Sequence, residues 1–395
     1  MTNKLIFVGD IVIRNKTNEK IISPAIEKIF DEHNVISCNF EAPIISEKDK
    51  PIAKAGPNIF QIPNACDIIK KSKFNLISLA NNHLCDYGKN ALKNTIASFS
   101  DQTIVGAGLN FNDAYQLKII TINNIRFGFL SFCEGEFGAL FYENQQNKAG
   151  YAWINHHSID NRISDAKKQV DILIVQAHCG VEEIDIPLPE WRNRYKNLID
   201  CGADAIIAHH PHIVQGWELY KEKPIFYSLG NFYFDKENPK PTWNLGAMVS
   251  LEYEGNKLIK YEVIPVKKID NKVDLNTDEN YKFHLNKLCE MIDSKDYYDY
   301  IDETVLRLWN AYYKNYYINA VVDVGAIKEN LITKKFSLKE LIKIHIKKIF
   351  KKDKEFEFND ISNKLLLLHN IRIESHRWTV ERALSLLEEK DYNTD

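Results

Sequence analysis

The chain has 395 residues, of which 45 % are hydrophobic and 27 % charged, and its formal net charge is −3. This is an ordinary globular composition, which excludes fibrous and low-complexity chains, and the charge gives no bias toward nucleic acid or a membrane surface. No stretch approaches the ~20 apolar residues that a membrane span needs.

The cysteines and the N-terminus bear on the compartment. The seven cysteines are scattered, without a Cys-x-x-Cys pair, which is typical of buried free thiols in a reducing compartment. The first residues, MTNKLIFVGD, enter a predicted strand almost at once and lack the charged and apolar regions of a signal peptide. The sequence therefore predicts a soluble, cytoplasmic protein.

Short apolar runs alternate with helical patterns up to about residue 268. The helical pattern at 23–33 begins with Ser23 as N-cap and Pro24 in the first turn, and another covers 191–202. This alternation indicates an α/β or layered αββα architecture. A Gly-Asn turn within 244–268 predicts a closing β-hairpin. The predicted strands are 5–9, 35–40, 74–80, 125–133, 171–178, 204–210 and 225–230.

The composition changes near residue 269. We predict one domain over 1–268, a linker over 269–280 and a helical region over 281–395. Residues 336–354 place apolar side chains on one face of a helix and lysines on the other. Such a stripe is typical of packing on a small helical domain; the alternative is peripheral contact with an anionic membrane or a partner protein. The apolar content of 363–389 suits the core of that domain.

Polar side chains follow five of the predicted strands at the point where each strand ends. The carboxyl ends of strands in an open α/β sheet are where ligands and metals bind. A set made only of Asp, Glu, Asn and His is the composition of a metal site rather than of a phosphate-binding glycine loop. Each residue alone is more often structural, but buried polar groups need partners, and a shared metal supplies them together. The set is Asp10, Asn39, Glu41, Asn81, Asn82, His83, His178, His209, His210 and His212.

The turn HHPH is the most informative single element of this set. Pro211 restricts the backbone and holds His210 and His212 at i, i+2 spacing. This arrangement allows the two imidazoles to serve two neighbouring metals.

Several segments occur in order between about residues 4 and 265: FVGDIVI, NFEAPI, SLANNHLCDYG, AGAGLNFNDA, AHCGVEE and GADAIIAHHPHIVQGWELYKEKPIFYSLGNFYFD. They resemble the successive motifs of the CapA family, the capsule or poly-γ-glutamate synthesis group of the calcineurin-like metallophosphatase superfamily. The resemblance implies a four-layer αββα sandwich, followed here by a C-terminal helical extension that it does not cover. It also implies one or two divalent metal ions, and Mn²⁺, Fe and Zn²⁺ all tolerate such ligands.

The resemblance also implies which residues bind each ion. One metal would be held by Glu41, Asn82, His178 and His210, and the other by Asp10, Glu41 and His212. The superfamily's usual first motif is Asp-x-His, and Val12 occupies the histidine position here. The metal site that contains Asp10 is therefore one ligand short. Three alternatives stay open for this site: it binds metal weakly, it is filled by water, or it is empty.

Most of the further residues of interest have more than one interpretation. His83 matches the catalytic histidine, as a cation that steadies developing charge or as an acid, and Asp86 either orients its ring or is a turn residue before Gly88. Glu182 contacts substrate, supports a ligand or is a surface carboxylate. Ser228 and Asn231 either line the site for substrate or brace the turn. Cys85 and Cys179 are expected to be packing thiols.

Two functions of different classes follow from these residues. The first is a metal-dependent hydrolase that uses a metal-activated water on a phosphoester or an amide bond. Its substrate would be a phosphoester or an anionic polymer of capsule, poly-γ-glutamate or cell-envelope metabolism. The alternative is a non-catalytic assembly subunit with a structural metal, docking through 336–354. Nucleic acid is not an expected partner, because no long basic patch interleaved with aromatics occurs in the catalytic region.

Overall fold

The computed structural model of the chain describes residues 2–15, 19–236, 240–322 and 356–392. The chain divides into two compact units, one of Met1–Ile52 with Asn58–Glu303, the other of Ala53–Pro57 with Thr304–Asp395. None of the helices in the described ranges combines the length and the apolar character that crossing a bilayer requires.

Each predicted apolar run contains or overlaps a strand, and 35–40 and 125–133 are reproduced at both ends. The run 74–80 contains a strand only at 76–78, and the run 225–230 overlaps one only at 225–226. The strands are β1 (Thr2–Val12), β2 (Val35–Phe40), β3 (Leu76–Ser78), β4 (Thr103–Val105), β5 (Ala107–Gly108), β6 (Lys118–Ile122), β7 (Ile125–Cys133), β8 (Ala139–Leu140), β9 (Gly150–Ala152), β10 (Ile172–His178), β11 (Ala205–His209), β12 (Trp217–Tyr220), β13 (Lys223–Phe226), β14 (Asn231–Phe234), β15 (Leu245–Glu254), β16 (Lys257–Ile269) and β17 (Lys272–Leu275).

The predicted start of the first helix is confirmed: Ser23 caps it by accepting the backbone N–H of Ile26 at 3.3 Å, and Pro24 lies in its first turn. The helices are α1 (Pro24–Phe30), α2 (Ala65–Lys71), α3 (Gly88–Ser98), α4 (Phe111–Ala114), α5 (Ile159–Lys167), α6 (Pro189–Asp200), a 3-10 helix (Pro241–Asn244), α7 (Glu279–Asp293), α8 (Tyr297–Leu308), a π-helical turn (Trp309–Tyr313), α9 (Lys314–Val322), α10 (Phe356–Arg372) and α11 (Glu374–Tyr392).

Two large sheets stack face to face in the first unit. Within the described ranges, the larger sheet has eight strands, in the order β17-β16-β15-β1-β2-β3-β4 with β14 paired to β1, and the smaller has the order β12-β13-β11-β10-β7-β6. Apolar side chains of both sheets form one buried cluster between them, including Phe7, Leu76, Phe129 and Ile174. Burial of this shared face is the main source of stability of such a layered domain.

Helices cover the outer faces of both sheets. Side chains of α1, α2 and α3 join a second cluster on the outer face of the larger sheet, including Phe30, Ile69 and Leu92. The helices α5 and α6 pack on β10, β11 and β13 of the smaller sheet. The predicted αββα architecture is confirmed, and so is the hairpin, which β15 and β16 form around Gly255 at φ +58°.

The end of the first unit lies further along the chain than the predicted boundary at 268. That boundary falls inside β16, and the segment predicted as a linker, 269–280, contains β17, which pairs antiparallel with β16. The helix α7 also belongs to this unit: Leu285, Leu288 and Ile292 are buried, and the helix packs on β12. A helical pattern alone does not tell which core buries its apolar face.

The C-terminal helices form the second unit, in which α10 packs against α9 and α11. The apolar segment 363–389 predicted as a helical core is covered by α10 and α11. The predicted amphipathic helix at 336–354 lies outside the described residues.

Candidate metal centre

The six predicted ligands are buried and lie together at the carboxyl ends of the central strands. Asp10 is near the end of β1, Glu41 follows β2, and Asn82 lies in the turn after β3. His178 ends β10, and His210 and His212 lie in the turn after β11. Because these strands run parallel in their sheets, their ends meet at one edge, as expected for an open α/β fold.

Asn82, His178 and His210 form an amide–imidazole cluster. Nε2 of His178 lies 3.0 Å from Oδ1 of Asn82 and 3.1 Å from Nδ1 of His210. Ligands at about 2.1 Å from an octahedral ion stand roughly 3.0 Å apart when they are adjacent. The spacing of these three atoms therefore suits one face of a metal coordination sphere.

Asp10, Glu41 and His212 form a carboxylate cluster beside it. Nδ1 of His212 lies 3.4 Å from Oδ2 of Asp10, and Nε2 lies 3.8 Å from Oε1 of Glu41. Asp10, Glu41 and His178 each present one ligand atom within 4.8 Å of the others. The two clusters are thus contiguous, and Glu41 lies close to a member of each.

Glu41 provides the test of whether these residues fit a metal. Its side chain is fully buried, and among the described residues neither carboxylate oxygen has a hydrogen-bond partner. A buried carboxylate without hydrogen bonds is costly. A divalent cation coordinated by both clusters would satisfy it, so the donor set fits the metal that the fold implies.

The electrostatics of the carboxylate cluster point the same way. Burial raises the pKa of Glu41 well above its ordinary value. His212 lowers this pKa and the charge of Asp10 raises it further, but burial is the largest effect. Burial lowers the pKa of His212, but Glu41 and Asp10 outweigh it and raise that pKa to about 10. Glu41 and His212 therefore keep at least one proton between them at neutral pH, in a place where a cation would displace it.

The histidines of the amide–imidazole cluster are neutral. Burial lowers the pKa of His178 well below its ordinary value, and the neighbouring histidines lower it further. Burial also lowers the pKa of His210 to about 4. Neutral imidazole is the form that binds metal, so neither ring has to lose a proton for binding at neutral pH.

Val12 lies in an apolar environment. It is fully buried in a small cluster with Ala42, Ile59, Phe234 and Trp243. Hydrocarbon therefore fills the position where the superfamily's usual motif has a histidine. The carboxylate cluster accordingly offers one imidazole fewer than the motif would supply.

His83 and Asp86 form a buried pair beside the carboxylate cluster. Nδ1 of His83 lies 2.7 Å from Oδ2 of Asp86, and the same oxygen accepts the backbone N–H of Ile59 at 2.7 Å. The other ring nitrogen, Nε2, lies 3.9 Å from Oε1 of Glu41. Of the two interpretations of Asp86, the geometry is that of a residue that orients the His83 ring.

Backbone conformations that L-residues rarely adopt occur at this centre. Ala42 has φ +96°, His210 has φ +97° and His212 has φ +60°. Strained residues persist where the surrounding structure holds them, and they cluster at functional sites. Here they occur in two of the turns that present ligands.

Two asparagines without a predicted role support the ligands. Asn81 donates to the carbonyl of Phe40 at 2.9 Å and accepts the backbone N–H of Ala42 at 3.3 Å, which clamps the backbone on both sides of Glu41. Asn39 donates to Oδ1 of Asp10 at 2.8 Å and lies 3.1 Å from Nδ1 of His178. Both were visible as polar residues at strand ends, but their contacts depend on the tertiary fold.

Glu134 is a residue of the centre that the sequence reasoning missed. It is buried, its Oε1 lies 3.6 Å from Nε2 of His210, and that oxygen accepts the backbone N–H of Gly180 at 3.2 Å. A carboxylate on the second nitrogen of a metal-binding histidine orients the ring. The signal was present, because Glu134 directly follows the predicted strand 125–133.

The three residues expected near substrate differ in burial and in the groups that they contact. Ser228 is buried and its hydroxyl accepts the backbone N–H of Gly230 at 3.1 Å, inside the turn. Asn231 is buried with Oδ1 at 3.0 Å from Nδ1 of His212. Glu182 is exposed, and its charge contributes to the raised pKa of His212.

Comparison with known proteins places the chain in a family. A family model described as bacterial capsule synthesis protein PGA_cap matches residues 4–236, which include all six predicted ligands. The chain belongs to the PGA_cap family. The match ends before the C-terminal helices, as the CapA resemblance read from the motifs also does.

Two relatives with the name CapA are similar to more than half of the chain. The capsule biosynthesis protein CapA of Bacillus anthracis is 33 % identical over 244 residues, 58 % of this chain and 59 % of that protein, so the match spans less than two thirds of that relative. The PGA biosynthesis protein CapA of Bacillus subtilis is 31 % identical over 270 residues, 66 % of this chain and 70 % of that protein. A solved structure of a novel phosphatase from Mycoplasma pneumoniae, 13 % identical, superposes with a TM-score of 0.41 over 68 % of this chain and 95 % of that chain.

Proposed function

We propose that this PGA_cap chain is a metal-dependent hydrolase that cleaves a phosphoester or an amide bond in the metabolism of capsule, poly-γ-glutamate or another cell-envelope polymer. The observation that carries the proposal is the buried Glu41 carboxylate, which lacks a hydrogen-bond partner among the described residues and lies close to members of both clusters of metal-binding donors. The names of the Bacillus relatives support the polymer as the substrate class.

The residues divide into binding and chemical roles. Asn82, His178 and His210 would hold an ion on one side of Glu41, and Asp10 and His212 on the other. A divalent cation supplies Lewis acidity and an activated water when it is bound, and Mn²⁺, Fe and Zn²⁺ all suit these ligands.

His83 is the group of this chain that moves a proton. Asp86 accepts the Nδ1–H of its ring, which leaves Nε2 on the side of Glu41. From there the ring donates a proton or a hydrogen bond to an oxygen or nitrogen of the scissile group. Burial of the pair excludes water from the Asp86 side and strengthens that hydrogen bond.

A second function is favoured by Val12. With an apolar cluster in place of a histidine, one metal would serve structure only, and the chain would act as an assembly subunit of a polymer-synthesis complex. In this alternative, the lysine-rich segment 336–354 would contact a partner protein or an anionic membrane.

The experiment combines metal analysis with activity. Chelator-treated protein is reloaded with Mn²⁺, Fe²⁺ or Zn²⁺ and assayed on p-nitrophenyl phosphate and, by release of free amines, on poly-γ-glutamate. We expect metal-dependent turnover that is lost in His83→Ala and kept in His284→Ala, a matched histidine exposed on α7. One metal per chain and no turnover of either substrate, whatever residue stands at position 83, would favour the assembly subunit.

A further inference from the structure

The orientation of the Asn231 amide is fixed by its neighbours. Asn231 is the first residue of β14, pairs in register with Asp10 and is buried. Its Nδ2 lies 3.0 Å from the backbone carbonyl oxygen of Trp243. Because a carbonyl oxygen only accepts hydrogen bonds, the amide nitrogen must be on that side, and Oδ1 must point the other way.

The amide orientation determines which nitrogen of His212 carries a proton. Oδ1 of Asn231 lies 3.0 Å from Nδ1 of His212, and Oδ2 of Asp10 lies 3.4 Å from the same nitrogen. Both oxygens are acceptors, so Nδ1 carries the proton. In the neutral ring the lone pair is then on Nε2, the nitrogen that lies 3.8 Å from Oε1 of Glu41.

The ring needs this support because the main chain alone does not fix it. His212 lies in a turn with φ +60°, outside the regular strand β11. Aromatic rings flank the imidazole, with the ring centroids of Phe234 and Trp243 at 5.1 and 5.0 Å. These contacts restrict the plane of the ring but do not distinguish Nδ1 from Nε2, whereas the Asn231 acceptor does.

We propose that Asn231 is a positioning residue that selects Nε2 of His212 as the metal-binding nitrogen, with the Trp243 carbonyl holding the amide. This assigns Asn231 to the metal and not to the substrate, and it rests on the proposed function in requiring that the centre binds a cation. A residue that fixes the tautomer of a ligating histidine typically contributes about 10–100-fold to metal affinity.

The test is a double-mutant cycle on Mn²⁺ affinity, measured by calorimetry on the chelator-treated full chain. Asn231→Ala is expected to weaken Mn²⁺ binding by roughly 10–100-fold. Asn231→Asp, which keeps an acceptor for Nδ1–H, is expected to weaken it less. On a His212→Ala background, Asn231→Ala is expected to add no further loss, because the ring it positions is absent.

The controls separate this inference from the proposed function. Asn276→Ala removes another buried asparagine and should leave the Mn²⁺ affinity unchanged. The inference is overturned if the wild-type chain binds Mn²⁺ and the losses of Mn²⁺ affinity at positions 231 and 212 are additive. Asn231 would then act independently of His212, while the metal centre itself would stand. Absence of Mn²⁺ binding by the wild-type chain would overturn the metal centre itself, and with it the role of Asn231.

A measurement on the wild-type chain tests the proposal if the variants fail to fold. In Zn²⁺-loaded protein with ¹⁵N-labelled histidine, the His212 ring should show a protonated Nδ1 and a metal-bound Nε2. Correlation of the ring signals with the backbone signals of residue 212 in the wild-type chain assigns them. A metal-bound Nδ1 would overturn the proposal.

Discussion

His83 and Asp86 are joined by a 2.7 Å contact between Nδ1 and Oδ2, three positions apart in one turn and both buried. The Asp86 oxygen is itself held by the backbone N–H of Ile59 at 2.7 Å. Because the carboxylate is anchored from a distant segment, the ring keeps one orientation with Nε2 toward Glu41. We expect this arrangement to separate a chemical role of His83 from the binding of metal.

Replacing His83 by alanine is expected to reduce turnover without loss of metal. General acid–base groups typically contribute about 10²–10⁴-fold, so kcat of the metal-loaded chain should fall by that factor. Metal content, measured by plasma mass spectrometry, should equal that of wild type, since Nε2 is 3.9 Å from Glu41 and the ring belongs to neither ligand cluster. A variant that loses both metal and activity would identify His83 as a ligand instead.

Metal binding is expected to release protons, and Glu41 is a main source. Burial raises the pKa of Glu41 well above its ordinary value, so the metal-free centre holds a proton that a cation must displace. Affinity for Mn²⁺ should therefore increase as the pH rises. Calorimetry in buffers of different ionisation enthalpy measures the protons released.

The matched variant for this prediction is Glu41→Gln, which has nearly the same shape and does not titrate. It should bind Mn²⁺ more weakly and release fewer protons than wild type. Equal proton release by both chains would show that the displaced proton comes from another group, of which His212 is the nearest candidate.

The sequence predicted which polar side chains come together better than it predicted the residues that contact them. Strand ends are readable from apolar runs, which is why the set from Asp10 to His212 could be assembled before the fold was known. The direction in which a polar side chain points depends on pairings such as Asp10 with Asn231, more than two hundred positions apart along the chain. The clamp of Asn81 around Glu41 and the contact of Asn231 with His212 could not be derived from spacing alone.

The domain boundary and Glu134 were missed for different reasons. The helix α7 has an amphipathic pattern that does not tell which core buries its apolar face, and only tertiary packing assigns it to the first unit. Glu134 had the same signal as the predicted ligands, a carboxylate directly after a predicted strand. Its position beside His210 depends on the pairing of β7 with β10.

Gly9 is expected to be essential for the geometry around Asp10. A Cβ at this position would overlap the carbonyl oxygen of Gly230, where the backbones of β1 and the turn before β14 meet. Gly9→Ala must push apart the segments that carry Asp10 and Asn231, so we expect a loss of more than about 2 kcal/mol in unfolding free energy together with weaker Mn²⁺ binding. Chemical denaturation and calorimetry measure the two effects.

A glycine in open space is the control for this substitution. Gly255 lies in the hairpin turn at φ +58°, and no atom is within 4 Å of the point that a Cβ would occupy there. Asparagine tolerates such a φ, so Gly255→Asn should leave the metal affinity at the wild-type value. If Gly9→Ala behaves in the same way, the close approach of the two backbones is not needed for the centre.

His209 is expected to make the stability of the metal-free protein depend on pH. The side chain is fully buried, neither ring nitrogen has a hydrogen-bond partner within the described ranges, and burial lowers its pKa from 6.5 to about 4 in spite of Asp10. Between these two values the unfolded chain takes up a proton that the folded chain does not, so stability falls as pH falls through this window. The stability that the neutral His209 side chain contributes above pH 6.5, and that is lost at low pH, is on the order of 3 kcal/mol. Urea denaturation of the chelator-treated proteins between about pH 4 and 7 measures this effect, and the unfolding free energy of His209→Gln should depend less on pH than that of wild type.

The control is His284→Gln, an exposed histidine whose replacement should leave the pH dependence of wild type unchanged. Parallel curves for wild type and His209→Gln would mean that the folded chain protonates His209 as readily as the unfolded one.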